Sequence, residues 1–367
     1  MPRPSRCVLV AAALLAAAPA SAEIVVATAG PMSGPFEIFG AQMMAGAEQA
    51  IADINAAGGL LGETLVLEVA DDRCDRKEAE PLANRMVGRR AVLMVGHLCS
   101  GASILASPVY NDAGIIQISP GARAPQYTDE RPGPGVFRLA GRDDSQGMVA
   151  GTYLAEHFHD RRIAIVHDNS PYGSGLAEAT RDAMNAAGKQ EAFYDDYTPN
   201  ETDYGSLLAR LDAGNIDIVF IGGSYTDIAT IASQMHDEGL STRLVSGDAL
   251  LTQAFIDAAG TAGNGTLVTY PPDPTRNPAA QPVMARLEAR SIPADGYVLP
   301  AYAAVEIWAE AVKRAGTFDF APVAEAVAAG TFDTVLGSLT FDAKGDASLP
   351  DFVVYEWHDD EYRYAPM

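Results

Sequence analysis

The chain is short of cysteine, of basic residues and of long apolar runs, and each shortage removes a class of explanation. Its 3 cysteines are Cys7, Cys74 and Cys99, without the close pairing that builds a zinc site. Lys and Arg number 25 against 48 Asp and Glu, a field that repels nucleic acid and anionic membranes. It does not forbid an anionic small ligand, because pocket chemistry is local. The one sustained apolar run, Val8 to Ala18, is too short to span a bilayer. Neither nucleic-acid binding nor membrane insertion is expected.

Reactive constellations are scarce too. Gly173-Ser174-Gly175 lacks the spacing of a nucleophile elbow and reads as a helix start. No phosphate-cradling loop follows the first strand, and Gly58-Gly59-Leu60-Leu61-Gly62 follows a helix instead. In Glu156-His157-Phe158-His159-Asp160 the histidines point to different helix faces, the mark of a solvated helix end rather than a metal site. An enzyme, a cofactor and a bound metal are therefore not expected.

What is present begins with an export signal. Arg3 and Arg6 precede the apolar run, and Ala20-Ser21-Ala22 has the small-residue pattern of a cleavage site. Residues 1–22 are expected to be removed, leaving a soluble exported chain that starts near Glu23. Cys7 precedes most of the apolar run, so it cannot carry a lipid at that site. The exported chain then has 23 basic residues against 48 acidic ones, a net charge of −25. It keeps two cysteines. An even pair in an exported protein is most simply a disulfide, with a metal site as the weaker rival. Closing the loop from Cys74 to Cys99 would contribute about 3–4 kcal/mol through chain entropy.

Short β-branched runs alternate with amphipathic stretches, the pattern of parallel α/β architecture. Ile24–Ala27, Leu65–Val69, Val92–Val95 and Ile115–Ile118 read as strands, and Met43, Ala47, Ala50, Ile51 and Ile54 line one face of a helix over 41–57. The rhythm restarts after Phe137–Leu139. A helix near 145–157 leads to strands at Ile163–Val166, Ile218–Ile221 and Leu244–Ser246, with helices over 173–187 and 226–239. The length suits two domains. Tyr270-Pro271-Pro272-Asp273-Pro274 breaks the pattern and reads as a crossing. Helices over 300–315 and 322–329 and strands at Leu339–Phe341 and Phe352–Tyr355 complete the chain.

Such architectures hold ligands at the carboxyl ends of their strands, where helix N-termini and free amides face a cleft. Gly96-His97-Leu98-Cys99-Ser100-Gly101 leaves the third strand, and Ser100 either caps the next helix or turns its hydroxyl to a carboxylate. Ser119-Pro120-Gly121-Ala122-Arg123 leaves the fourth. Asp168 to Gly175 and Ser246-Gly247-Asp248 hold equivalent places in the second half; Asp248 either caps or receives an ammonium.

These stretches carry a resemblance. Met32-Ser33-Gly34-Pro35, Gly46-Ala47-Glu48-Gln49-Ala50, Gly96 to Ser100, Arg162 to Asp168, Tyr172-Gly173 and Phe341 to Asp346 stand in an ordered series. In that series the chain resembles the periplasmic leucine/isoleucine/valine-binding family of ABC transporters over essentially its whole length after the signal. The resemblance implies two similar lobes joined by three crossings, residues 23–141 with 272–349 and 142–271 with 350–367, closing on a ligand. It supports the Cys74–Cys99 disulfide. It implies that Ser100 binds an amino acid's α-carboxylate with help from the Arg123 amide, and that the Gly121 carbonyl and Asp248 hold the ammonium. Tyr172 would close over the ligand, and Phe39, Leu98 and Tyr297 would shape the side-chain space.

Three departures from the family's pattern stand out. Arg123 replaces a threonine, Ser224 replaces an aromatic for which the neighbouring Tyr225 can substitute, and Asp248 replaces a longer glutamate. Arg123 either recruits an extra anion on a polar or acidic amino acid, or swings away or pairs with Asp248. The expected partners are a small amino acid and a membrane permease, in the periplasm, with the protein a monomer. The alternatives are a ligand-sensing module of the same fold, or a binder of a carboxylate that lacks an amino group.

Overall fold

The computed structural model describes residues 23–359 and 361–365; the expected signal, residues 1–22, lies outside them. Its strands form two main sheets. The first is built from β1 (Glu23–Gly30), β2 (Thr64–Asp71), β3 (Leu93–Gly96), β4 (Ile116–Ser119) and β5 (Val136–Arg138), all parallel, in the order β2-β1-β3-β4-β5. The second uses β6 (Ile163–His167), β7 (Phe193–Asp196), β8 (Ile218–Gly222), β9 (Arg243–Ser246) and β10 (Leu267–Tyr270). These run parallel as β7-β6-β8-β9-β10, the same order shifted along the chain.

The expected parallel α/β halves follow from burial. Every residue of β3, β4, β6 and β8 is buried, as a sheet covered by helices on both faces requires. β7 was not legible as a strand because it lies at a sheet edge and carries no apolar run.

Crossings tie the halves together. After β5 the chain enters the helix Asp143–His157 and the second sheet. After β10 it returns through short turns at Pro274–Arg276 and Pro278–Ala280, and Ala280 and Val283 join the core of the first half. The helix Val298–Ala315 buries Trp308, Ile307 and Val312 in that core. The strand expected at 339–341 starts earlier. A turn stitched by Thr334 Oγ1 pairs β12 (Gly337–Leu339) with β11 (Phe332–Thr334). A third passage leads to β13 (Val353–His358) and β14 (Glu361–Tyr364), which extend the second sheet antiparallel beside β10.

In each half the strand order reverses beside the first strand, so the loops on either side diverge and leave a crevice at the carboxyl ends.

Candidate functional site

The two crevices face one cavity of about 440 Å³. All ten residues expected at a binding site line it: Phe39, Leu98, Ser100, Gly121, Arg123, Tyr172, Ser224, Tyr225, Asp248 and Tyr297. The loops after β3 and β4 supply the first wall, and those after β6, β8 and β9 the second.

The first wall is locked in several ways. Cys74 and Cys99 are joined, with Cα atoms 5.5 Å apart. Beneath them His97 is fully buried, its Nδ1 2.5 Å from Asp72 Oδ2 and its Nε2 3.0 Å from the Tyr110 hydroxyl. Asp72 also accepts the Cys74 amide at 2.8 Å, so the loops after β2 and β3 share a buried anchor. Gly121 permits the close packing of Leu98, because a Cβ there would lie 2.4 Å from Leu98 Cδ1.

Ser100 does not cap its own helix. It is the first residue of Ser100–Asp112, behind Cys99, and its Oγ accepts the amides of Arg123 at 3.0 Å and Ala124 at 3.1 Å. A hydroxyl has two lone pairs and one proton. With both lone pairs engaged, the proton is what Ser100 has left to offer. The Arg123 amide is correspondingly taken.

Asp248 is not a cap either; Gly247 precedes its short turn, which has no side-chain cap. Its Oδ2 lies 2.6 Å from Arg123 Nε, with both side chains buried, and its Oδ1 accepts from the Tyr172 hydroxyl at 3.1 Å. The Arg123 contact is close but misaligned, since Nε finds no acceptor in hydrogen-bond geometry. Of the alternatives for Arg123, the structure therefore shows the pairing with Asp248, across the cleft. Burial disfavours the Arg123 charge, and Asp248 with Tyr297, Tyr270 and Tyr172 more than restores it. Burial and then Asp248 push the Tyr172 hydroxyl well above its usual range.

The second wall is held by helix caps. Ser224 accepts the Asp227 amide at 3.3 Å and donates to Asp227 Oδ2 at 2.9 Å, so its hydroxyl works as a cap. Ser170 does the same for the helix Pro171–Ala186, accepting the Gly173 amide at 2.9 Å. Tyr225 reaches back across the cleft: its hydroxyl donates to the Pro35 carbonyl at 2.9 Å and its ring meets Phe39 edge-on. Phe39 also meets Tyr297, giving an aromatic lip.

Phe36, Arg76 and Asn200 line the cavity as well and were missed. Asn200 follows β7, the edge strand without a sequence signal. Arg76 opens the helix after Cys74, and its charge near the cysteine was the one available cue. His159 and Asp160 pair 2.9 Å apart on the exposed surface and are not part of the cavity lining. Among the described residues no cluster of three or more His, Cys, Asp or Glu is arranged to hold a metal.

Two like α/β halves meeting over a cavity with a cationic and an anionic wall define a two-lobed solute-binding protein of the type I periplasmic fold. A family model described as periplasmic binding protein matches residues 23–361, and the chain belongs to that family, one of binding proteins rather than enzymes. It is 40% identical over 361 residues to Leu/Ile/Val-binding protein homolog 1 of Brucella melitensis, covering 97% of each chain. It is 40% identical over 351 residues to the amino acid binding protein of Pseudomonas aeruginosa, covering 95% of this chain and 93% of that one. The crystal structure of the leucine binding protein LivK from Thermotoga maritima matches with a TM-score of 0.85 at 22% identity, covering 94% of this chain and 98% of that one.

Proposed function

We propose that the protein captures a small α-amino acid with an uncharged side chain in the periplasm and delivers it to the membrane permease of an ABC transporter. Residues 1–22 are removed on export, and the protein acts as a monomer. Two lobes, divided near 141/142, 271/272 and 349/350, close on the ligand. Ser100 donates its hydroxyl proton to the α-carboxylate. The Gly121 carbonyl and Asp248 take the ammonium, and Tyr172 covers it. Phe39, Leu98, Tyr225 and Tyr297 enclose the side chain.

One observation carries this reading: a donor with only its proton left, Ser100, shares a cavity with a buried carboxylate, Asp248. A zwitterion leaves water only where both of its charges find partners, since an unpaired buried charge costs several kcal/mol, about 3–5 in broken pairs. The names of the relatives, Leu/Ile/Val-binding and amino acid binding, agree with it. Because the Arg123 charge is engaged by Asp248, it does not wait for an acidic side chain. Leucine should bind better than glutamate, and Arg123→Thr should leave that order unchanged.

The Arg123–Asp248 pair also favours a second reading, a small carboxylate lacking an amino group, for which Asp248 needs no further cation. A thermal-shift screen of ligand-stripped protein separates the two. A ligand at a hundredfold excess over its Kd stabilises by about 2.7 kcal/mol. Shifts with leucine and its neutral relatives, absent with 4-methylpentanoate, support the amino-acid reading; the reverse pattern overturns it.

A further inference from the structure

Three ionisable side chains are buried near one another, two of them, Arg123 and Asp248, in the cavity lining and the third behind it. Arg123 comes from the loop after β4, Asp248 from the loop after β9, and Asp143 from the first turn of the helix Asp143–His157. Asp143 is the odd one. It is 0% exposed, and neither of its carboxyl oxygens has a hydrogen-bond partner.

Arg123 is already tied to the segment that carries it. The Asp143 amide donates to the Arg123 carbonyl at 3.0 Å, and Arg123 Nη1 donates to the Gly141 carbonyl at 3.3 Å. Its Nε meanwhile contacts Asp248 without alignment. Turning from Asp248 towards Asp143 therefore asks for rotation of one side chain whose guanidinium already touches the 141–143 segment.

Charge counting gives this arrangement a function. Of the two buried guanidinium groups near Asp143, Arg138 is taken by Asp346 at 2.7 Å, which leaves Arg123 alone for the carboxylates of Asp248 and Asp143, so one carboxylate lacks a cation. A buried carboxyl with no partner keeps its proton. Burial first, then the Asp248 charge, hold the Asp143 carboxyl well above the usual carboxylate range, against the pull of Arg123 and Arg138. The other groups facing it have no proton to give near neutral pH. Arg123 and Arg138 are guanidinium cations, Asp144 on its own helix is held below its usual value, and Tyr172 and Tyr297 are held above theirs.

We propose that Asp143 is a second carboxylate behind the ligand site: as a ligand ammonium takes Asp248, Arg123 turns to Asp143, which releases its proton to solvent. Two carboxylates then face two cations. The proposal rests on the amino-acid reading above and explains how Asp248, engaged in the unliganded protein, becomes available to an ammonium. It makes Asp143 a positioning residue that acts through Arg123.

The test is calorimetric titration of the ligand-stripped protein with leucine near pH 7, in two buffers of different ionisation enthalpy. The expected result is release of a substantial fraction of one proton per leucine bound. Asp143→Asn keeps the shape and removes the titration; it should bind leucine at least tenfold more weakly and release no proton. Leucine binding without proton release in the unmodified protein overturns the exchange, as does release that survives in Asp143→Asn. Should that variant fail to fold, the two-buffer result on the unmodified protein decides alone. If leucine and its relatives give no binding heat while 4-methylpentanoate does, the amino-acid reading itself has failed and the exchange with it. That outcome is distinct from binding without a proton.

Discussion

The two lobes meet the ligand cleft by different means. The first ties its loops with the Cys74–Cys99 bond and the buried Asp72–His97–Tyr110 chain. It presents a hydroxyl proton on Ser100 and a guanidinium on Arg123. The second relies on hydroxyl caps, Ser170 and Ser224, and presents the Asp248 carboxylate with the Tyr172 hydroxyl. A crosslink over this loop is worth about 3–4 kcal/mol and each cap about 1. The loops of the first wall are thus tied covalently and the helix starts of the second by hydrogen bonds. Opposite charge on the two walls lets one zwitterion, or one Arg123–Asp248 pair, draw them together.

The sharpest way to break this comparison is to discharge the second wall. Asp248→Ala should weaken amino-acid binding about 30- to 5,000-fold, because truncating one partner of a buried charge pair costs about 2–5 kcal/mol; isothermal titration checks it. A loss of only a few-fold would mean that the second lobe is not the charge partner. Replacing Cys74 and Cys99 by alanine should lower stability by about 3–4 kcal/mol in urea melts, more than any single cap change in the second lobe.

Two serines sharpen the contrast further. Ser100→Ala leaves the amides of Arg123 and Ala124 without their acceptor and removes the ligand's donor, so affinity should fall by about 1–3 kcal/mol, roughly 5–150-fold. Ser224→Ala should instead cost about 1 kcal/mol of stability and leave affinity nearly unchanged, because its hydroxyl is spent within the helix start. Thermal melts and calorimetry on the pair test both halves of the statement.

The last effect concerns a carboxyl that serves neither wall and leaves ligand affinity untouched. Burial pushes Glu306, on the helix Val298–Ala315, up to about 7, although it accepts the Val335 amide at 3.1 Å. The folded state keeps a proton that the unfolded chain loses above its ordinary value near 4.5. Stability therefore falls as pH rises from there to about 7 and is flat beyond it. Glu306→Gln keeps an acceptor for Val335 and removes the drop. It should be more stable than the parent by up to about 3 kcal/mol at pH 8 and equal near pH 4, by denaturant melts in both buffers.

Much of the molecule was legible because it depends on local pattern. Runs such as Ile163–His167 and Ile218–Gly222 are apolar at every position because both sheet faces are covered. The stretches leaving β3, β4, β6 and β9 announced themselves by glycine, serine and aspartate after an apolar run. β7 and β14 left no such trace, because edge strands are only half enclosed. Partnership within the site was harder. Ser224 could be read as a residue facing a ligand or as a cap, and only the position of Asp227 makes it a cap.

The order of short buried strands, the loops at their ends, the cysteine pair and the kinship with periplasmic binding proteins are written in the linear chain, since each rests on residues close together or on a series of matched stretches. What Arg123, Ser100, Asp248 and Asp143 do was decided by the tertiary structure. Arg123 and Asp248 lie 2.6 Å apart although 125 residues separate them in the chain, and Asp143 lost its solvent without gaining a partner. Charges are paired, stranded or freed by what folding brings beside them, and composition and spacing carry no record of that.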